Sequence, residues 1–192
     1  MVEAPAAAAV LDFWFGAAPD YAERRRLWFG KDAAVDEAIR RRFAGLWREA
    51  ADGRLAGWEA DAGGALALVL LLDQFPRNMF RDTPQAFATD GHALAVAERA
   101  LGRRFDQDVA PIRRIFFYLP FEHSESLADQ ERSVALAAQF RGDPDLDDVY
   151  DYAAKHRDVI ARFGRFPHRN AILGRKSTPQ EIEFLRQPGS RF

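Results

Sequence analysis

Two stretches of the chain write Phe-Pro, then one or two basic residues, then Asn: Leu70 to Arg81 reads LLLDQFPRNMFR and Arg162 to Leu173 reads RFGRFPHRNAIL. Pro76 and Pro167 have no amide proton, and in a continuing helix each would clash with the carbonyl four residues back, at Leu72 and Phe163. Each should therefore end or kink the element before it. The donors alongside are Arg77 and Asn78 in the first stretch, and Arg165, His168, Arg169 and Asn170 in the second. Such side chains can hydrogen-bond the released carbonyls and seal helix ends. Converging on a crease, they could instead hold a carboxylate or phosphate, with Arg113, Arg175 and Lys176 in support. Sealing is the favoured reading, because helix junctions need donors whether or not a ligand exists.

A second polar concentration, YLPFEHSESLADQE, begins at Tyr118. His123 there could act as a general acid or base, oriented by Glu122 or Glu125. The plainer reading makes His123 and Ser124 a loop and a helix cap, and it is preferred. His156 shares a helical stripe with Ala153, Ile160 and Phe163 and reads as a core histidine, while His92 and His168 stand apart. No His-Glu-x-x-His spacing is present, and DPDLDDVYD from Asp143 lacks both the glycine and the closing glutamate of a calcium loop. LGRKST at Leu173 lacks the glycine spacing of a phosphate loop. The expectation is no metal and no cofactor.

Composition narrows the classes further. The 192 residues suit one compact domain, 1–192, with 186–192 a frayed tail. With 48% hydrophobic residues and sixteen Phe there is enough apolar surface for a core. The 27 basic and 29 acidic residues leave a net charge of -2, which argues against a nucleic-acid partner. The N-terminal stretch is short and carries Glu3, so neither a leader nor a membrane span is read, and the cysteine-free chain is placed in the cytoplasm.

The elements that must position these residues follow helical periods. Val10 with Trp14 and Leu11 with Phe15 make a short helix that stops at Gly16, and Trp28-Phe29-Gly30 repeats that ending. Asp32 caps a helix buried along Val35, Ile39, Phe43, Leu46 and Trp47, and the arginine triplets 24–26 and 40–42 read as solvated surface. Ala65 to Phe75 is apolar all round and reads as the central helix. Thr83-Pro84 opens a region interrupted near Asp90-Gly91 and ending at Gly102, and Ile112 to Leu119 mark a face ended by Pro120. Ser124 or Ser126 caps the next helix, through Phe140; Asp147 to Phe163 forms another, closed by Gly164; Thr178-Pro179-Gln180-Glu181 opens a last one. With no period-two alternation, the fold class is all-α, about nine helices in stacked antiparallel pairs.

Taken in order, VLDFWFG at Val10, LWFGKDAAVD at Leu27, LLDQFPRNMFR at Leu71, FYLPFEHSESLADQE at Phe117 and RFGRFPHRNAILGRKSTPQE at Arg162 resemble a bacterial family, domain of unknown function family 924. The resemblance implies an all-helical fold similar to tetratricopeptide-repeat domains and no established activity. On these residues the chain reads as an uncharacterised helical binding or adaptor domain. It would take a peptide segment, a protein or a small anionic ligand in an inter-helix groove, with Arg77, Asn78, Arg165, His168, Arg169 and Asn170 as binding candidates. The alternative, held second, is a small hydrolase acting on an anionic metabolite through His123 with Glu122 or Glu125.

Overall fold

The computed structural model describes residues 3–16 and 21–190, the side chains of 3, 4 and 21–24 excepted; Arg24 of the first arginine triplet and tail residues 191–192 lie outside what is described. Among the described residues the fold is all-α, with no strand. The helices are α1 (Glu3–Phe15), α2 (Tyr21–Phe29), α3 (Ala33–Ala51), α4 (Ala62–Val69), α5 (Phe75–Met79), α6 (Asp90–Gly102), α7 (Pro111–Glu122), α8 (Leu127–Ala137), α9 (Asp147–Phe163) and α10 (Pro179–Leu185). A π turn over Leu70–Gln74 joins α4 to α5 without a break, so these two form one helical run. The chain divides into two compact units, Met1–Arg81 with Gln85–Pro120, and Asp82–Pro84 with Phe121–Phe192.

In the first unit the run from α4 to α5 is the core, as its all-round apolar sequence requires: every residue from Gly64 to Pro76 is buried. It packs against α1, α3 and α6. A Cβ on Gly64 would collide with the Trp58 carbonyl, so the start of α4 depends on glycine to approach the preceding turn. Trp14, Phe15 and Trp28 are buried around Phe116, each ring edge-on to it, with centroids 5.1 to 5.9 Å apart. The repeated Trp-Phe-Gly ending thus fills a core at its first occurrence, whereas Phe29 is 55% exposed at its second.

Pro76 does not end the helix. The ladder widens by one residue, so that the Phe75 amide donates to the Leu70 carbonyl, and helix resumes with Pro76 in its first turn. The Leu72 carbonyl, four residues before the proline, accepts from the Thr89 hydroxyl at 2.6 Å. Arg77 donates to the next carbonyl, Asp73, at 2.6 Å and grips the Asp90 carboxylate with two bonds of 2.9 and 3.0 Å. Asn78 and Arg81 both donate to Asp36 of α3. Arg40, expected on a solvated face, instead closes the end of α5 by donating to the Met79 carbonyl at 2.7 and 3.3 Å. Pro120 likewise sits inside α7, which continues to Glu122.

In the second unit α8 packs along α9. Val159, Ile160 and Phe166 form its apolar core, with Phe163 and Phe184 against it. Helix α9 ends at Gly164, whose φ of 68° is the left-handed conformation glycine accepts at a helix end. Thr178 and Glu181 complete the expected capping box at the head of α10. Beyond α10, Ser190 is buried and its hydroxyl donates to the Leu185 carbonyl at 3.2 Å.

Candidate functional site

The turn that carries the Glu-His-Ser-Glu motif is fixed from below by α8. Gln130 is fully buried, and its amide Nε2 donates to three carbonyls at the end of α7: Glu122 at 2.6 Å, Ser124 at 2.7 Å and Phe121 at 3.4 Å. Ser124 donates to Asp129 at 2.7 Å and accepts the Ser126 amide at 3.2 Å. Ser126 takes the N-cap position of α8 without a side-chain bond, so Ser124 organises the helix entry.

From this turn Glu125 reaches the loop after α9. Its carboxylate accepts the Phe166 amide at 2.8 Å and two bonds from Arg175, at 2.6 and 2.9 Å, while Arg175 also donates to the Phe166 carbonyl at 3.2 Å. Glu125 and Arg175 thus bracket one peptide unit. Burial opposes the Glu125 charge, but the Arg175 guanidinium and the Phe166 amide more than offset it, and the carboxyl is held below its ordinary range. Arg165 makes the equivalent two-bond grip on Glu181, at 2.7 and 2.9 Å, which with the Thr178 amide holds that carboxyl at about 2. Asn170 donates to Ser177 at 3.1 Å and its carbonyl accepts the Arg175 amide at 2.7 Å. These bonds shape the loop from Gly164 to Thr178.

Around Phe166 the remaining polar residues of three distant segments gather. Phe166 is fully buried; the Arg169 guanidinium lies 4.5 Å from its ring centre, the His168 ring 5.6 Å and the His156 ring 5.7 Å. His156 Nδ1 lies 2.8 Å from the Tyr152 carbonyl and 3.1 Å from Glu122 Oε1. Facing two oxygens, Nδ1 carries the proton in the neutral ring, which leaves the lone pair on Nε2. Burial pushes the His156 ring down to about 3; the Tyr152 carbonyl opposes the shift, and the charges of His123, Arg169 and His168 add to it. Three of the four histidines and Arg169 therefore share one electrostatic neighbourhood in the second unit, with Glu122 at its centre.

The sequence-derived candidates accordingly separate. Arg77 and Asn78 belong to the first unit, where Asp90, the Asp73 carbonyl and Asp36 engage their donors. Glu122, His123, Glu125, Arg165, His168, Arg169 and Asn170 belong to the second. Within it, Arg165, Asn170 and Glu125 hold the loop, whereas Glu122, His123, His168 and Arg169 join His156 at Phe166. Read from sequence only as a core residue, His156 is buried as expected and also completes the cluster. Gln130 and Ser133 went unremarked, although polar residues three apart on a stripe continued by Ala137 were a readable sign of something polar inside.

At neutral pH a ring held at about 3 carries no proton to give and is a weak base, so His156 is poorly suited to acid-base work. Among the described residues no group of three or more His, Cys, Asp or Glu could hold a metal ion. Nor is any helix among them long and apolar enough to cross a membrane.

Comparison with known proteins places this geometry. The model of the bacterial protein family of unknown function DUF924 matches residues 10–189. The chain belongs to DUF924. Among solved structures it is similar to a protein of unknown function, ATU0120, from Agrobacterium tumefaciens, with 45% sequence identity and a TM-score of 0.86 over 95% of this chain and 98% of that one. No curated protein matches the chain. The DUF924 assignment and this neighbour agree with the all-helical fold implied by the sequence resemblance, and both are of unknown function.

Proposed function

We propose that this DUF924 chain is a helical binding domain whose ligand is a small anion seated at the Phe166 cluster of the second unit. The observation that carries the reading is the convergence of His123, His156, His168 and Arg169 with Glu122, from three separate segments, around one buried ring. Arg169 supplies a permanent positive charge on a flat, forked donor, the form suited to a carboxylate or phosphate. Stacked on Phe166, its guanidinium is held in one plane, so less freedom is lost when an anion binds. His123 and His168 are half-buried and form the rim, while Glu122, His156 and Arg169 lie deeper. The Glu125–Arg175 bracket fixes the loop that presents them. The proposal keeps the protein in the cytoplasm, a setting consistent with its lack of cysteine.

Isothermal titration of the full chain with acetate, succinate and inorganic phosphate tests this. At least one of these anions should bind saturably, and Arg169→Lys and His168→Ala should each weaken it about tenfold, the loss of one charge-assisted contact. Failure of all three to bind, or equal binding by both variants, would remove the proposal.

A further inference from the structure

Beneath the Phe166 cluster lies a pair of buried polar atoms whose hydrogen-bonding capacity is unspent. Gln130 is 0% and Ser133 1% exposed, and neither Gln130 Oε1 nor Ser133 Oγ has a partner. Gln130 cannot relieve this by turning over. Its Nε2 faces the carbonyls of Phe121, Glu122 and Ser124, so a flip would set Oε1 against three acceptors. Oε1 is therefore pinned as an acceptor that calls for a donor. Ser133, three residues further along α8, lies on the same face of the helix, within reach of one shared small group. A buried acceptor and a buried hydroxyl left open side by side are costly unless something polar meets them.

Their place in the unit says what that something adjoins. Gln130 holds the Glu122 carbonyl at 2.6 Å, and Glu122 Oε1 lies 3.1 Å from His156, whose ring meets Phe166 and, across it, Arg169. Exposure falls in steps along this path, from half-buried His123 and His168, through Arg169 and His156 at 6% each, to Gln130 and Ser133. Charged and titratable donors stand at the outer end, and a neutral acceptor with a hydroxyl at the inner end. Only a ligand carrying both an anionic and an uncharged hydrogen-bonding group satisfies both.

We infer that Gln130 and Ser133 form the inner end of the anion site and that its ligand is a hydroxylated carboxylate, the carboxylate toward His168 and Arg169 and the hydroxyl donating to Gln130 Oε1 while Ser133 bonds its oxygen. The inference rests on the proposed function above and narrows it to a ligand class. A bare carboxylate of the same length leaves Gln130 Oε1 and Ser133 Oγ open and binds less well.

The test uses matched pairs differing by one hydroxyl: glycolate against acetate, 3-hydroxybutyrate against butyrate, and malate against succinate, titrated calorimetrically into the full chain and into Ser133→Ala. In at least one pair the hydroxy acid should bind the unaltered protein fivefold or more tightly than its partner, and Ser133→Ala should bring that ratio close to one. Because the Ser133 hydroxyl bonds nothing in the free protein, the variant should melt no lower, which separates loss of discrimination from loss of fold. Equal affinity within every pair overturns the inference but leaves the anion reading standing. No binding by any of the six acids overturns both. Crystals of the malate-soaked protein with only a water molecule between Gln130 Oε1 and Ser133 Oγ, and the acid elsewhere, also overturn it.

Discussion

His156 Nδ1 stands 3.1 Å from Glu122 Oε1, with both side chains buried, and the imidazole nevertheless remains neutral because burial dominates its ionisation. The charge of the nearby Arg169 and the two neighbouring histidines act in the same direction as burial. A neutral ring fixed by the Tyr152 carbonyl and the Glu122 carboxylate is a rigid wall for the cluster.

The first consequence is a pH dependence of stability. His156 falls from 6.5 in the unfolded chain to about 3 in the folded one, so between these values the unfolded state binds the extra proton. The contribution of His156 is fully present above pH 6.5 and is lost as pH falls toward 3, with a limiting slope of about 1.4 kcal/mol per pH unit. Urea unfolding of the natural protein and of His156→Asn, at pH 7.0 and 5.0, should show the variant losing less stability over that interval. Identical losses would mean that His156 takes up a proton in the folded state.

A second prediction concerns the proline of the central helix. Thr89 donates to the Leu72 carbonyl and accepts a long bond from Trp47 Nε1, at 3.4 Å. Thr89→Val should cost about 1–3 kcal/mol, since it leaves a buried carbonyl unsatisfied. Pro76→Ala restores an amide that can turn to that carbonyl, so the double variant should lose less than the sum of the two single changes. Strict additivity would show that Thr89 does not replace the missing proline bond.

The Arg77 network predicts architecture, not binding. Asp73 is fully buried and depends on Arg77 and Gln74 as donors. Arg77→Ala should therefore destabilise the fold by about 3–5 kcal/mol, the usual cost of stranding a buried charge. In preparations that still fold, anion affinity should remain within twofold of the natural protein, because Arg77 belongs to the first unit and the Phe166 cluster to the second.

Much of this was written locally and some of it was not. Asp147–Phe163 with Gly164 behind it, and the capping box at Thr178, are legible because apolar period, helix stop and cap all lie within a few residues of one another. The π turn before Pro76 was not, since local rules say that proline stops a helix, whereas the bond that relieves it comes from Thr89, on another element. Pro120 shows the same limit: α7 runs two residues past it. For the site, the residue types were readable and the company they keep was not. Arg165 and Arg169 stand four residues apart in one motif, yet one grips Glu181 and the other lies on Phe166. Only the folded chain brings Glu122, His156 and Phe166 together.

The Glu125 bracket yields a kinetic prediction. With its carboxylate accepting the Phe166 amide and both arms of Arg175, Glu125→Gln should speed hydrogen exchange at the Phe166 amide at least tenfold while leaving the Phe43 amide in α3 unchanged. Equal protection at Phe166 in both proteins would mean that the loop is held by other bonds.

The measurement that bears most directly on the central claim is a two-dimensional NMR titration of the histidine ring signals in the full chain with malate. The chain has four histidines, of which His92 belongs to α6 in the first unit and serves as an internal reference. The account predicts that the rings of His123, His156 and His168 shift together and saturate at one affinity while His92 stays still. Motionless signals from all three, or a shift of His92 in step with them, would contradict it.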